Sequence, residues 1–190
     1  MIAVRKARIA DAVAIAAVHV AAWRNTYPGI LPDTYLANLS VSRQAIYYDQ
    51  AIRGGTGVVV AIASGADVVP GTSARIVGFA TAAKARQREL GGRPLGDGEV
   101  ETLYVLDDWR ERGVGRRLLR AAANHLANVG CRSVYLWVLR DNPSRWFYER
   151  LGGRAAAEAT IQFAGRDVAQ TAFVWDPILP LLLPLTPGTS

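Results

Sequence analysis

Segments in which apolar residues alternate with polar ones, or form short aliphatic and aromatic runs, recur along the chain. Alternation is typical of a strand that buries one face, and short apolar runs between turn residues are typical of buried strands. The segments with these patterns are residues 2–9, 58–63, 75–83, 100–106, 133–139, 160–163 and 168–175. The pattern therefore predicts a sheet built from these segments.

Apolar residues spaced three and four positions apart predict helices between the strands. Asp11 stands at the N-cap position of the first helix, which we expect to run to about Asn25. Shorter helices are expected at residues 31–39, 43–53 and 142–151. The strongest apolar stripe belongs to a helix that Gly130 ends, and it consists of Val114, Leu118, Ala122, Leu126 and Val129.

The order of these elements indicates an α/β fold. The helix with the strong stripe joins the strand at 100–106 to the strand at 133–139, and a right-handed crossover of this kind connects parallel strands. Glycine-rich or polar segments at 64–73 and 85–98 are expected to form a hairpin loop and a surface loop. The sequence thus predicts a mixed sheet flanked by helices.

The chain has 190 residues, 51% of them hydrophobic, which suits one domain with a sizeable core. We assign residues 1–176 to this domain. The tail, residues 177–190, is rich in leucine but contains four prolines, which argue against a helix. Two interpretations of the tail stay open: disorder, or packing on the domain or on a partner subunit.

The net charge of +6 comes from 20 arginines and two lysines against 16 acidic residues. Most arginines are scattered, whereas nucleic-acid-binding proteins usually concentrate positive charge on one face with interleaved aromatic residues. We therefore expect no nucleic-acid partner. One local cluster suits a phosphate-rich small molecule, with a solvated helix face as the alternative, and it consists of Arg110, Arg112, Arg116, Arg117 and Arg120.

The few cysteine and histidine residues limit which cellular compartment and which cofactors we expect. Cys131 is the single cysteine, which excludes internal disulfides and fits a reducing cytoplasm. His19 and His125 have no cysteine or acid at ligand spacing, so we expect no metal. Asp11 interrupts an N-terminal run that would otherwise imitate a secretory signal, and no segment is long and apolar enough to span a bilayer. We expect a cytoplasmic protein without a membrane partner.

Residues 110–117, which we call the anion loop, combine glycines with arginines directly before a helix. Gly113 and Gly115 let a ligand approach the backbone, and amides at a helix start attract anions. A dinucleotide fingerprint would place a third small residue at Leu118, and a P-loop would need Gly-Lys-Ser/Thr. A nicotinamide or flavin enzyme that uses these glycines with Asp141 is therefore a weak alternative.

Two motifs resemble those of one family. Arg-x-x-Gly-x-Gly from Arg110 onward, preceded by Leu103-Tyr104-Val105-x-x-x-Trp109, resembles the coenzyme A loop of the GNAT superfamily of acyl-CoA-dependent N-acetyltransferases. The segment 142–153, with Asn142, Phe147-Tyr148 and Gly152, resembles its second motif. The interval from Asn142 to Phe147 is one residue shorter than the commonest form, and Arg145 stands in place of a usual alanine.

The resemblance implies a GNAT-like fold, a mixed and mostly antiparallel sheet with a splayed parallel pair of central strands. It also implies that acetyl-CoA is the co-substrate and inserts between the splayed strands, with no metal. The residues that would bind it are Leu103, Tyr104, Val105, Arg110, Glu111, Arg112, Gly113, Val114, Gly115, Arg116, Asn142 and Arg145. Of these, Leu103, Tyr104 and Val105 would offer backbone groups, and the Val105 N–H would stabilise the thioester oxyanion.

The same resemblance makes Tyr148 the general acid that protonates the leaving thiolate. A phenol pKa of ~10 against a thiol pKa of ~8.5 makes that transfer depend on alignment rather than on a shifted pKa. The resemblance also makes Glu99 and Glu101 candidate bases, because they share the strand face where some members of the family keep a catalytic glutamate, and Glu99 fits that place better. Two like charges so close would raise the pKa of one of them; a solvated strand end is the alternative. Trp23 and Tyr27 are expected beside the amine acceptor, although core packing explains them equally well.

The resulting hypothesis is an N-acetyltransferase in which a bound amine attacks the thioester of acetyl-CoA directly. The acceptor would be a small-molecule or peptide amine, and the final strands could pair two subunits into a homodimer. The second hypothesis is a non-catalytic acyl-CoA-binding sensor or scaffold of the same fold.

Overall fold

The computed structural model describes residues 1–65, 74–86 and 89–183. The strands in this part of the chain are β1 (Ile2–Lys6), β2 (Gly57–Ala63), β3 (Arg75–Lys84), β4 (Glu89–Leu90), β5 (Arg93–Pro94), β6 (Gly98–Val105), β7 (Val134–Leu139), β8 (Arg154–Phe163) and β9 (Arg166–Trp175). The helices are α1 (Ala12–Thr26), α2 (Asp33–Ala37), α3 (Val41–Arg53), α4 (Val114–Asn128), α5 (Arg145–Arg150) and α6 (Leu179–Leu182).

Seven of the strands form one sheet in the order β1-β2-β3-β6-β7-β9-β8. Neighbouring strands are antiparallel except β6 and β7, which are parallel because α4 connects them by a crossover. The predicted fold class is therefore confirmed: the sheet is mixed and mostly antiparallel, and a parallel pair lies at its centre.

The parallel pair is open over most of its length. β6 and β7 pair at Gly98 and Glu99, and no other pairing between them is present in these fully described strands. Beyond Glu99, β6 continues to pair with β3, and β7 with β9, to the ends of both strands. The divergence leaves an opening between residues 100–105 and residues 136–139, which we call the β6–β7 gap.

Hydrophobic packing holds helices on both faces of the sheet. On one face α4 buries Leu118, Leu119 and Leu126 against the central strands. On the other face α1 and α3 pack through buried residues such as Ile15 and Tyr48. In the described ranges, no helix has both the length and the hydropathy needed to cross a bilayer.

The sequence prediction of the α4 stripe fails at one end. Val129 is 39% exposed, because α4 ends at Asn128 and Val129 is already the capping residue. Asp11 occupies the expected N-cap position of α1, but its side chain does not cap the helix. The carboxylate of Asp11 makes no capping bond to α1 and instead binds the Arg5 guanidinium at 2.7 Å and the Arg8 amide at 2.7 Å.

The segment 85–98 is not only a surface loop. β4 and β5 form a small hairpin within it, and Leu95 is buried against Tyr135 and Val174 on the sheet. Leu90 packs against the same cluster, so the polar composition of the segment concealed apolar contacts with the sheet. Of the hairpin loop expected at 64–73, residues 66–73 lie outside the described residues.

The tail begins with a short helix that the sequence analysis excluded. α6 has Pro180 in its first turn, where a missing N–H breaks no helical bond. Ile178 and Leu181 are buried in the core that α4 covers. The interpretation in which the tail packs on the domain therefore applies to residues 177–183, and residues 184–190 lie outside the described residues.

We predict that Leu118→Ala lowers the free energy of unfolding by about 2–5 kcal/mol, because it leaves a cavity under α4. Urea denaturation at neutral pH measures this change. Val129→Ala is the control at the capping residue that follows α4, and we expect a change within about 0.5 kcal/mol because that residue is 39% exposed. Equal losses in the two variants would contradict the assignment of the buried face.

Candidate active site

The backbone of β6 offers hydrogen-bonding groups to the β6–β7 gap. The N–H of Leu106 donates to the Val77 carbonyl on β3, at 2.9 Å. Backbone groups alternate in direction along an antiparallel strand, so the backbone of Tyr104 also faces β3. The N–H and C=O groups of Leu103 and Val105 therefore face the gap, and the expectation that Tyr104 supplies backbone groups there is wrong.

A β-bulge at Glu101 sets this direction. The pairing between β6 and β3 skips Glu101, whereas Gly98, before the bulge, donates its N–H to the Ser133 carbonyl beside β7 at 3.1 Å. The extra residue shifts the alternation by one position. Leu103 and Val105 face the gap for this reason.

The anion loop brings the start of α4 to the end of β6. Gly113 has a φ of +73°, in the left-handed region that glycine adopts without penalty, and Glu111 has a φ of +59°. α4 begins at Val114, and the Arg117 amide donates back to the Gly113 carbonyl at 3.1 Å. The amides of the first turn have no acceptor within the helix, so this end of α4 can bind an anion.

Gly115 lies at a close contact between the anion loop and neighbouring side chains. A Cβ atom at this position would lie 3.3 Å from the Cζ atom of Phe147 and 3.8 Å from a methyl group of Leu103. The start of α5 therefore lies directly against the start of α4. A side chain at position 115 would press on the Phe147 ring, so glycine allows the two helix starts to pack closely.

The arginines of the anion loop differ in their partners. Arg110 donates to Thr26 Oγ1 at the end of α1, at 2.7 Å. The guanidinium of Arg112 lies 5.1 Å from the centre of the Trp109 ring. Arg116 lines a groove of about 230 Å³ between α4 and β1. Arg112 is therefore the arginine of the loop held by a neighbouring ring, while Arg110 ties the loop to α1.

Tyr148, on α5, is buried and lies next to Phe147, with Phe173 and Trp175 farther from its ring. Burial, with a smaller contribution from Tyr27, raises the pKa of Tyr148 above its usual value. The expectation of an unshifted phenol is therefore wrong. The shift keeps Tyr148 protonated at neutral pH, as a proton donor must be.

Asn142 is buried between β7 and α5. Its Oδ1 atom accepts a bond from the Ser144 amide at 2.8 Å, and its Nδ2 atom donates to the Tyr27 hydroxyl at 3.3 Å. α5 begins at Arg145 with Ser144 as its N-cap residue, so the helix expected from Asn142 onward begins three residues later. Asn142 links the second motif to the end of α1.

Trp23 and Tyr27 lie in an aromatic cluster rather than in an open pocket. The Trp23 ring lies 5.1 Å from Tyr27, 6.2 Å from Tyr104 and 4.9 Å from His19, measured between ring centres. The Nε1 atom of Trp23 is buried and makes no hydrogen bond within the described chain. The structure thus places both residues beside the gap, with Tyr27 buried and turned towards Asn142.

Glu99 and Glu101 differ in their surroundings. Glu99 is partly buried and accepts a bond from the Tyr135 hydroxyl at 2.8 Å, while Glu101 is exposed and accepts one from Thr81 at 3.4 Å. The pKa of Glu99 is raised, mainly by burial and only in part by the charge of Glu101. Arg86 and the Tyr135 bond oppose this shift. Like-charge repulsion is thus the lesser cause of the shift.

The structure brings the predicted elements together around the β6–β7 gap. Glu99 marks the point where β6 and β7 separate, and the anion loop follows the far end of β6. Sequence reasoning missed Tyr135 and Thr26. Tyr135 could have been found from the parallel register, because it stands opposite Glu99. No local sequence pattern indicated that Thr26 would bind Arg110.

A family model and a similar protein both relate this chain to acetyltransferases. The model of the Acetyltransferase (GNAT) family matches residues 19–153. The chain is 31% identical over 182 residues to a Bacillus subtilis (strain 168) protein named "Uncharacterized N-acetyltransferase YuaI", covering 95% of this chain and 96% of that protein.

Solved structures show the same fold. YncA of Salmonella typhimurium, a putative acetyltransferase described with its cofactor acetyl-CoA, has a TM-score of 0.64 and 21% identity, covering 100% of this chain and 99% of YncA. The PaiA N-acetyltransferase of Thermoplasma acidophilum, in complex with coenzyme A, has a TM-score of 0.62 and 20% identity, covering 90% of this chain and 98% of PaiA.

His19, in the aromatic cluster, gives a prediction for pH. Burial lowers its pKa from 6.5 to about 4, and its Nδ1 atom lies 2.6 Å from the Tyr48 hydroxyl. Between pH 6.5 and 4 the unfolded chain binds a proton there that the folded chain does not. Wild-type protein should therefore lose up to about 3 kcal/mol of unfolding free energy over this interval from His19 alone.

Urea denaturation from pH 7.5 to 4 tests this dependence. We expect His19→Phe to lose less stability than the wild type as the pH falls. Tyr48→Phe keeps the histidine and should keep the steeper dependence. The same slope in His19→Phe and wild type would show that His19 does not stay neutral in the fold.

Proposed function

The chain belongs to the GNAT family of acetyltransferases, and on this premise we propose that it transfers the acetyl group of acetyl-CoA to an amine. The observation that carries the proposal is the β6–β7 gap, with the anion loop directly after the end of β6. A strand pair held open inside a sheet leaves backbone groups available to a ligand that adds as a strand would.

The residues present fit the carrier. Bound acetyl-CoA supplies an activated acetyl thioester. The backbone groups of Leu103 and Val105 would hold its pantetheine arm, and the amides from Gly113 to Arg116 its pyrophosphate. Arg112 adds positive charge beside these amides. An N–H of β6 that faces the gap, with Val105 as the expected donor, would stabilise the oxyanion.

Tyr148 acts as the general acid in this proposal. Its hydroxyl gives a proton to the sulfur as the carbon–sulfur bond breaks, and CoA leaves as a thiol. The raised pKa keeps the hydroxyl protonated before the reaction but makes proton donation harder. Alignment with the sulfur must offset that cost.

Glu99 acts as the base that removes the proton of the attacking amine. At ~3.3 Å per residue, Glu99 lies about 13 Å along β6 from Leu103, so the proton would pass through water. Glu101 lies about 7 Å from Leu103 on the same scale and would attract the cationic amine. The raised pKa of Glu99 makes it the better proton acceptor of the two.

An assay of thiol release from acetyl-CoA against a panel of small-molecule and peptide amines tests the proposed function. Amine-dependent release, with the acetylated amine identified by mass spectrometry, would support it. Binding of CoA without transfer to any amine would favour the sensor hypothesis. Binding of a dinucleotide but not of CoA would favour the oxidoreductase alternative.

Tyr148→Phe should lower kcat by about 10²-fold or more, because only the proton donor is lost. Calorimetry should give the same Kd for CoA as in wild type, since the ring is retained. Phe147→Tyr, which adds a hydroxyl next to the site, should not restore activity to Tyr148→Phe. Unchanged kcat in Tyr148→Phe would remove this residue from the mechanism.

Glu99→Gln should change the pH dependence of kcat/KM. A base works when deprotonated, so the wild-type rate should fall as the pH drops through the raised pKa of Glu99. The variant should be slow at every pH and lack this acidic limb. Glu101→Gln is the matched variant, and it should keep the limb while raising KM for a cationic amine. An intact limb in Glu99→Gln would assign the base to another group.

A further inference from the structure

A groove of about 230 Å³, which we call the α4–β1 groove, lies at one edge of the sheet. β2 and β3 separate β1 from the β6–β7 gap, so the groove lies outside the gap. Arg117 donates to the Ile2 carbonyl at 3.0 Å, and burial together with the charge of Lys6 lowers the pKa of His125. α4 therefore follows β1 along its length. The side chains that line the groove are Val4, Arg116, Arg117, Arg120, Ala121 and Asn124.

The α4–β1 groove is positively charged. Neither α4 nor β1 contains an acidic residue. Arg116, Arg117 and Arg120 make no ion pair with any described residue. Among the described residues no aromatic side chain lines the groove, whereas sites for single-stranded nucleic acid combine basic and aromatic residues. A ligand with carboxylates is therefore complementary to this groove.

β1 is an edge strand, paired with β2 alone among the described strands. The Met1 carbonyl and the Ala7 N–H both bond towards β2. Backbone groups alternate in direction along an antiparallel strand. Those of Ile2, Val4 and Lys6 therefore face away from the sheet.

Val4 offers the open backbone groups of this edge. The carbonyls of Ile2 and Lys6 already accept bonds from the guanidinium groups of Arg117 and Arg5, at 3.0 and 2.9 Å. The N–H and C=O of Val4 have no partner within the described part of the chain. An edge with unpaired backbone groups is a template for a further strand.

The spacing of polar groups along α4 matches that of an extended chain. Arg116, Arg120 and Asn124 recur every four positions, which is a rise of about 6 Å. Alternate residues of a strand project to one face about 6.6 Å apart. An acidic side chain at every second position of a strand beside β1 would therefore meet these groups in turn.

We propose that the α4–β1 groove binds an extended, acidic segment of a partner protein. The segment adds to β1 as a further strand through the backbone groups of Val4, and its alternate carboxylates pair with Arg116 and Arg120. A second copy of β1 is not the occupant, because β1 is itself basic and would bring like charges together. Neither the gap nor the amides of the anion loop take part, so this surface is independent of the proposed function.

Fluorescence anisotropy of a labelled peptide of alternating glutamate and threonine, at low ionic strength, tests the proposal. The full chain should bind it but should not bind a peptide of alternating lysine and threonine. Arg120→Gln should raise the Kd about 1.5- to 5-fold, the range that one exposed ion pair gives. Arg120→Glu replaces attraction with repulsion and should raise the Kd about 10-fold or more. Arg154→Gln, at an exposed position on the opposite edge strand β8, is the matched control and should leave the Kd unchanged.

Two N-methylated peptides test the addition of a strand. In a strand beside β1, the N–H groups of the glutamates all point one way and those of the threonines point the other way. Methyl groups on the set that faces β1 should abolish binding, whereas methyl groups on the other set should be tolerated. Equal binding of both methylated peptides would overturn the strand addition.

Other outcomes would overturn the inference while leaving the proposed transferase intact. These are the absence of peptide binding by the wild type, and equal affinity in Arg120→Glu and wild type. Displacement of the peptide by CoA would assign the arginines to the carrier, and tighter binding of a single-stranded oligonucleotide would assign the groove to nucleic acid. Urea denaturation should give the same free energy of unfolding for Arg120→Glu and wild type, which separates lost affinity from a folding defect.

Discussion

The interrupted pairing between β6 and β7 is the constraint on which the rest of the site depends. The two strands are joined at Gly98 and Glu99 and then diverge, although each remains paired with its outer neighbour. Backbone groups that face such an opening have no partner strand, and unpaired buried groups are costly. Such unpaired backbone groups lie at the centre of this sheet. A ligand with amide groups can form hydrogen bonds with them, as a neighbouring strand would.

Packing on both faces holds the opening in place. α4 fixes β6 from one side through Leu118 and its neighbours, while α5 follows β7 and carries the buried Tyr148. The bulge at Glu101 then decides which amides point into the opening. The gap is thus shaped by a register shift of one residue and by helices that cannot move without exposing apolar surface.

The end of α1 connects the two motifs. Thr26 accepts a bond from Arg110 of the anion loop, and the adjacent Tyr27 accepts one from Asn142 of the second motif. Two consecutive residues therefore tie both motifs to the aromatic cluster around Trp23. Burial also separates the two titrating groups of the proposed mechanism. It holds the Tyr148 phenol protonated and brings the Glu99 carboxyl closer to the range of a useful base.

The sequence by itself determined the elements whose signals are local. Periodicity and backbone preferences predicted the stripe of α4 up to Leu126, the glycine turn before it and most strands. The exceptions are β8, which begins at Arg154 rather than at residue 160, and the short strands β4 and β5, which lie in the expected surface loop. Only the tertiary structure decided that Tyr135 meets Glu99 across 36 positions and that Asn142 meets Tyr27 across 115. It also decided that Leu95 and Ile178 are buried. These contacts depend on how distant segments pack, and no pattern within a single segment records which partner will lie against it.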